Sequence, residues 1–160
     1  MKAKTDDKKS PPEAQLKTLI AKFDAKSQTL IRSVRTALRK RFPTANELVY
    51  DYSHSLVIGY SPSQHGIEAI VSFSARADGV SLYFNKGPEL PDPKGLLQGS
   101  AKQVRFIPLE TAKRLSHPDV EAFTVAAIGL SKVPLPASGK GQLIIKTFGE
   151  KKKPRPKRKK

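Results

Sequence analysis

The chain contains no cysteine, which removes disulfides, thiolate metal sites and a cysteine nucleophile, and offers nothing that an oxidising compartment would exploit. Also lacking is any apolar run near the roughly 18 to 20 residues that spanning a bilayer needs. The opening residues, Met1-Lys2-Ala3-Lys4-Thr5-Asp6-Asp7-Lys8-Lys9, are charged with no apolar stretch behind them. They do not read as a secretory signal, and by elimination the expected location is cytoplasmic, with no membrane partner.

Several catalytic signatures are missing too. There is no Gly-x-Ser-x-Gly elbow, Walker loop, dinucleotide fingerprint or His-Glu-x-x-His. A non-enzymatic role without a cofactor is therefore expected. Acidic residues are scarce: 14 Asp+Glu against 30 Lys+Arg give a formal net charge of +16. Residues 146–160 hold nine Lys/Arg and one acid, and residues 1–10 hold four Lys and two Asp. Over half the excess thus lies in the termini, and the stretch between them is only moderately basic.

At 160 residues the length suits one domain able to bury a core without staples. The composition divides the chain into a disordered start at 1–9, a single domain at 10–149 and a disordered basic tail at 150–160. Ser10-Pro11-Pro12-Glu13 reads as a capping box opening a helix with Leu16, Leu19, Ile20 and Phe23 at helical spacing. Asp24 reads as the cap of a second helix, with Leu30, Ile31, Val34 and Leu38 on one stripe and Pro43 past its end.

From Glu47 the apolar period changes to two. Strands are expected over 47–52, 55–60, 67–76, 80–85 and 102–108, with Ala77-Asp78-Gly79 closing a hairpin. The Pro- and Gly-rich stretch 86–95 reads as an ordered surface excursion. Ser116-His117-Pro118-Asp119 caps a third helix, and a last short strand fits 142–148. Helices, then strands, then a helix indicate an α+β fold: a curved antiparallel sheet flanked by two N-terminal helices and one C-terminal helix.

Arg39-Lys40-Arg41-Phe42-Pro43 followed by Glu47-Leu48-Val49-Tyr50-Asp51-Tyr52 resembles the YdhG-like family of unknown function. Gly79-Val80-Ser81-Leu82-Tyr83-Phe84-Asn85-Lys86-Gly87, Leu90-Pro91-Asp92-Pro93, Leu96-Leu97-Gln98-Gly99 and Lys102-Gln103-Val104-Arg105 follow the family's order and spacing. The likeness covers residues 15–130. Ala101 departs from it, because Gly99-Ser100 is commonly followed there by another glycine. The resemblance implies an α+β domain in small bacterial proteins without an agreed activity, some described as frataxin-like iron proteins. It supplies no catalytic residues to carry over.

The tail is the strongest functional signal: Lys151, Lys152, Lys153, Arg155, Lys157, Arg158, Lys159 and Lys160 are spaced to neutralise phosphates and release counterions. It has no aromatic residue for base stacking, so its contact with nucleic acid or another polyanion is expected to be electrostatic and indifferent to sequence. The blander reading is a tail that keeps the chain soluble. Arg32 to Arg41 extend the basic footprint, or form a solvated helix face.

Asp51 with His54, and His65 with Glu68, are the nearest approach to metal ligands, in no known metal spacing. A net positive domain also repels Fe²⁺, so no metal site is expected. If the domain has a ligand pocket, its expected lining is Glu47, Tyr52, Asn85, Lys86, Asp92 and Arg105. Arg105, between Val104 and Phe106, then meets either an anionic ligand or a carboxylate such as Asp92. The leading expectation is a non-enzymatic binding domain whose tail contacts polyanions. The alternatives are a small-ligand or iron-handling domain of the frataxin-like kind, or a hydrolase with a serine and a histidine in contact.

Overall fold

A computed structural model of the protein describes residues 11–147. Ser10, Phe148, Gly149, the expected disordered start and the basic tail lie outside the described residues. Three helices, α1 (Pro12–Ile20), α2 (Ala25–Arg41) and α3 (Pro118–Leu130), accompany six strands. These are β1 (Asn46–Tyr52), β2 (Ser55–Ser61), β3 (Val71–Arg76), β4 (Gly79–Phe84), β5 (Arg105–Leu109) and β6 (Leu143–Ile145). They form one sheet in the order β5-β4-β3-β2-β1-β6. The α+β class and the two-plus-one arrangement of helices follow from this architecture.

The first five strands are a meander of antiparallel neighbours, and β6 returns to lie parallel to β1. That edge pairing adds one parallel neighbour to the otherwise antiparallel sheet expected from the strand pattern. Ser53-His54 and Ala77-Asp78 make two-residue turns, the second followed by Gly79 at φ +145°. Registers align the inward residues in rows across the sheet, one running Val49, Ile58, Phe73, Leu82, Ile107. All five are essentially inaccessible and pack against Leu16 and Leu19 of α1, Ile31, Val34 and Leu38 of α2 and Phe123 of α3. The three helices therefore cover a single face of the sheet.

Local chemistry accounts for where the elements begin. Asp24 accepts from the Ser27 amide at 2.8 Å and caps α2. That bond holds the Asp24 carboxyl below its usual range. His117 caps α3 through Nδ1, which accepts from the Asp119 amide at 3.1 Å. The capping box expected at α1 differs: Pro11 occupies the cap position with no side-chain bond, and the Glu13 carboxylate turns to Arg35.

β3 is shorter than its periodicity suggested. Gly66–Glu68 forms a single 3₁₀ turn, and Ile67 is 84% exposed. The alternation from Ile67 to Phe73 was coincidence at its first step: His65 O and Gly66 O take the amides of Glu68 and Ala69 in the turn. β5 likewise begins at Arg105 rather than at residue 102.

β6 depends on a close approach at Gly141, where an added Cβ would overlap the Ala45 backbone carbonyl. Its entry is held by the Gly141 amide on Pro43 O at 3.1 Å and the Glu47 amide on Gln142 O at 2.8 Å. Gly141→Ala is expected to unseat β6 and leave the β1–β5 meander in place. Hydrogen exchange should then rise at Lys146, whose amide bonds Val49 O, while the amides shared by β2 and β3 keep their protection.

Candidate functional site

A glutamate opposite a buried tyrosine dominates the polar interior. Register places Glu47 of β1 across from Tyr60 of β2 on the helix-covered face, and Tyr60 donates to Glu47 Oε2 at 2.7 Å. Arg35 of α2 donates to the same carboxylate through Nε at 2.9 Å and Nη2 at 2.8 Å. Its outer edge holds Glu13 of α1 at 3.0 and 3.1 Å. Arg39 approaches Glu47 at 3.6 Å. Glu47 is 5% exposed, so this carboxylate is paired within the fold rather than presented to a ligand.

The charges leave their marks on titration. Burial would lower the Arg35 pKa, but its bonds to Glu47 and Glu13 outweigh that and raise it further. The Arg35 hydrogen bond holds the Glu13 carboxyl below its usual range. Burial, helped by the neighbouring Glu47 carboxylate, pushes the Tyr60 phenol well above 10.0.

The six residues expected to share a pocket fall into separate places. Asp92 sews the excursion to itself, one oxygen accepting from the Leu96 amide at 2.8 Å and the other from Leu97 at 2.9 Å. The Arg105 guanidinium bonds the backbone carbonyls of Ala101 and Val104, and Asp92 is not among its partners within the fold. Gly87 lies flush against the Arg105 backbone. Glu47 and Arg105 do share one cross-sheet row, but at its two ends, roughly 19 Å apart at ordinary strand spacing.

Asn85 and Lys86 line a cleft of about 670 Å³ with Ile67, Val104, Lys102 and Lys132. Its lining mixes apolar side chains and three ammonium groups with the carboxylates of Glu68 and Glu89. Tyr52 belongs to a different concavity of about 840 Å³ at the opposite end of the strands, beside Lys22, Asp51, His54 and Arg76. Lys22 pairs with Asp51 at 3.7 Å across it.

Among the described residues no three His, Asp or Glu side chains converge as a metal ion would require. Glu68 accepts from the Ser63 hydroxyl, and Ser61 and Ser63 bond His65 at its backbone O and N, at 3.0 Å each. No described helix is long and apolar enough to cross a membrane. Comparison with protein-family models, with curated proteins and with solved structures finds no match to this chain.

Breaking the buried pair tests its structural role. Glu47→Gln leaves the inner edge of Arg35 without a carboxylate, with Glu13 as its remaining ionic partner, and is expected to cost about 3 kcal/mol, read from the urea midpoint. Replacing the whole group, in Arg35→Met/Glu47→Leu/Tyr60→Phe, should recover most of the loss. Alkali gives a second check. The folded Tyr60 keeps its proton where the unfolded chain loses it, so stability is full below pH 10 and declines above it. Tyr60→Phe should flatten that decline in urea titrations between about pH 9 and 11.

Proposed function

We propose that this protein is a non-enzymatic binding domain for polyanions, nucleic acid foremost, with its Lys/Arg-rich C-terminal sequence as the main electrostatic element. The observation that carries this reading is the excess of exposed cations over exposed carboxylates, of which Asp78, Glu89 and Glu110 are three. Within the fold Glu13, Glu47, Glu121 and Asp119 pair with Arg35, Arg41 and Lys94, and Asp24 and Asp92 bond backbone amides. Many cations face solvent instead: Lys17, Arg32 and Lys40 on the helices, Arg76 on β3, and Lys102 and Lys132 at the cleft. The eight Lys/Arg of residues 151–160 add to the same sign.

Membership of the YdhG-like family belongs to the same proposal and rests on the residue pattern. An iron-handling role has less support, because a cation surplus on the surface opposes Fe²⁺ capture.

Fluorescence anisotropy with a labelled duplex, for the full chain and a chain ending at Gly149, tests the reading across salt concentrations. The full chain is expected to bind with a log–log salt slope of roughly −4 to −7 as phosphate counterions are released. The shortened chain should bind far more weakly. Equal binding by both, or none near physiological salt, would refute the tail as the binding element.

A further inference from the structure

The charge network around Arg35 continues outward into a groove between α1 and α2. Glu13, near the start of α1, meets Arg35 and Arg39, near the end of α2. The two helices therefore run in opposite directions, and a trough of about 420 Å³ lies between them. Leu16 and Ile20, both buried, form its floor. Arg32, Thr36 and Arg39 line it from one stripe of α2, at i, i+4 and i+7. Lys17, one turn after Glu13, lines it from α1.

The carboxylates present do not balance these cations. Glu47 is the inner partner of Arg35, with a side chain 6% exposed, whereas Glu13 is 61% exposed and takes the outer edge of the same guanidinium. Arg39 stands 3.8 Å from Glu13 and 3.6 Å from Glu47. Arg32 bonds the neutral Gln28 at 3.0 Å, and Lys17 has no ionic partner among the described residues. Lys17, Arg32, Arg35 and Arg39 are thus met only by Glu13 and Glu47. A hydroxyl is on offer as well. Thr18, Thr29 and Thr124 donate back to the carbonyl one turn earlier, while the exposed Thr36 bonds no described group.

We propose that the α1–α2 groove is a phosphoryl-binding site in which Glu13 occupies the position of the anion. The site lies wholly within the two helices, so it goes beyond the polyanion reading and does not depend on the C-terminal sequence. An entering phosphoryl group takes the Nη1 and Nη2 donors of Arg35 that Glu13 holds, with Arg39 and Thr36 on the same side. Glu47 keeps the Arg35 Nε–H, at 2.9 Å. Helix α1 stays seated through Leu16, Leu19 and Ile20, all buried.

Charge and shape select the class of ligand. Exchanging Glu13 for another carboxylate leaves the cation surplus as it stands, whereas a phosphoryl dianion reduces it. Its three oxygens can also accept from the guanidinium fork and a hydroxyl together. Arg32 and Arg39 are separated by about 10.5 Å along the helix at 1.5 Å per residue, which leaves room for a second phosphoryl group beside Lys17 and Arg32.

Inorganic pyrophosphate is the probe, titrated into isotopically labelled full-length protein and followed through the Arg Nε–H and backbone amide signals. Saturable shifts are expected at the Arg35 Nε–H and along the facing sides of α1 and α2. Glu13→Gln removes a competing charge within about 4 Å and should tighten binding roughly fivefold. A gain of this kind cannot come from misfolding. Arg32→Gln and Arg39→Gln, checked by circular dichroism, should each weaken binding by a similar factor, whereas Lys113→Gln, at an exposed cation outside the groove, should leave it unchanged.

Shifts spread over exposed lysines and indifferent to Glu13→Gln would overturn the site, as would the absence of saturable shifts in both proteins. Either result leaves the tail-dependent reading to its own salt test. An equal response to acetate would overturn the phosphoryl assignment. Adding oligo(dT) to the pyrophosphate complex identifies the source of the group, and both of its outcomes uphold the site. Displacement at the Arg35 signal assigns a nucleic-acid backbone, and oligo(dT) binding without displacement assigns a small phosphorylated molecule.

Discussion

The Arg35 guanidinium lies between carboxylates from two different elements, and the placement of the helices on the sheet follows from it. Glu47 fixes it to β1, Glu13 fixes it to α1, and the backbone that carries it is α2. A buried carboxylate is tolerable only with such partners, since an unpaired charge in a low-dielectric interior costs several kcal/mol. Tyr60 adds a neutral donor from β2. The pair contributes less through net stabilisation than through exclusion of other arrangements. A helix shifted by one turn would place the guanidinium about 5.4 Å away and leave Glu47 without its strongest donor.

With the helices fixed on one side, the sheet has an inside and an outside, and the period of two divides its chemistry between them. Aliphatic and phenyl side chains fill the inner rows. Tyrosines and serines share the outer positions with Leu48 and Gly59, and Leu48, Gly59, Ser61 and Ser74 are buried there, with Ala69 lying against Gly59 and Gly66 against the Tyr50 hydroxyl. Water satisfies only what the helices and this cover leave open. Such a face tolerates aromatic side chains, and here they are grouped in two pairs rather than scattered.

The fold class was legible because each strand pair in the meander carries its own alternation and a short turn, and each helix its own apolar stripe. Two features escaped. The parallel return of β6 depends on contact between residues about 96 apart, such as Gln142 with Asn46, and short-range periodicity carries no information on that. The 3₁₀ turn at Gly66–Glu68 lies beneath an alternation that continues through Ile67 by accident.

The expected pocket was misjudged for a common reason. Glu47, Asp92 and Arg105 are polar residues in apolar surroundings, a pattern shared by ligand sites and by structural staples. Their partners decide between the two, and those partners are Arg35 and Tyr60 for Glu47, backbone amides for Asp92 and backbone carbonyls for Arg105. The outer aromatics were visible in the sequence as alternate positions of the strands. Periodicity alone could not distinguish them from a solvated face, because their pairing across strands requires the register.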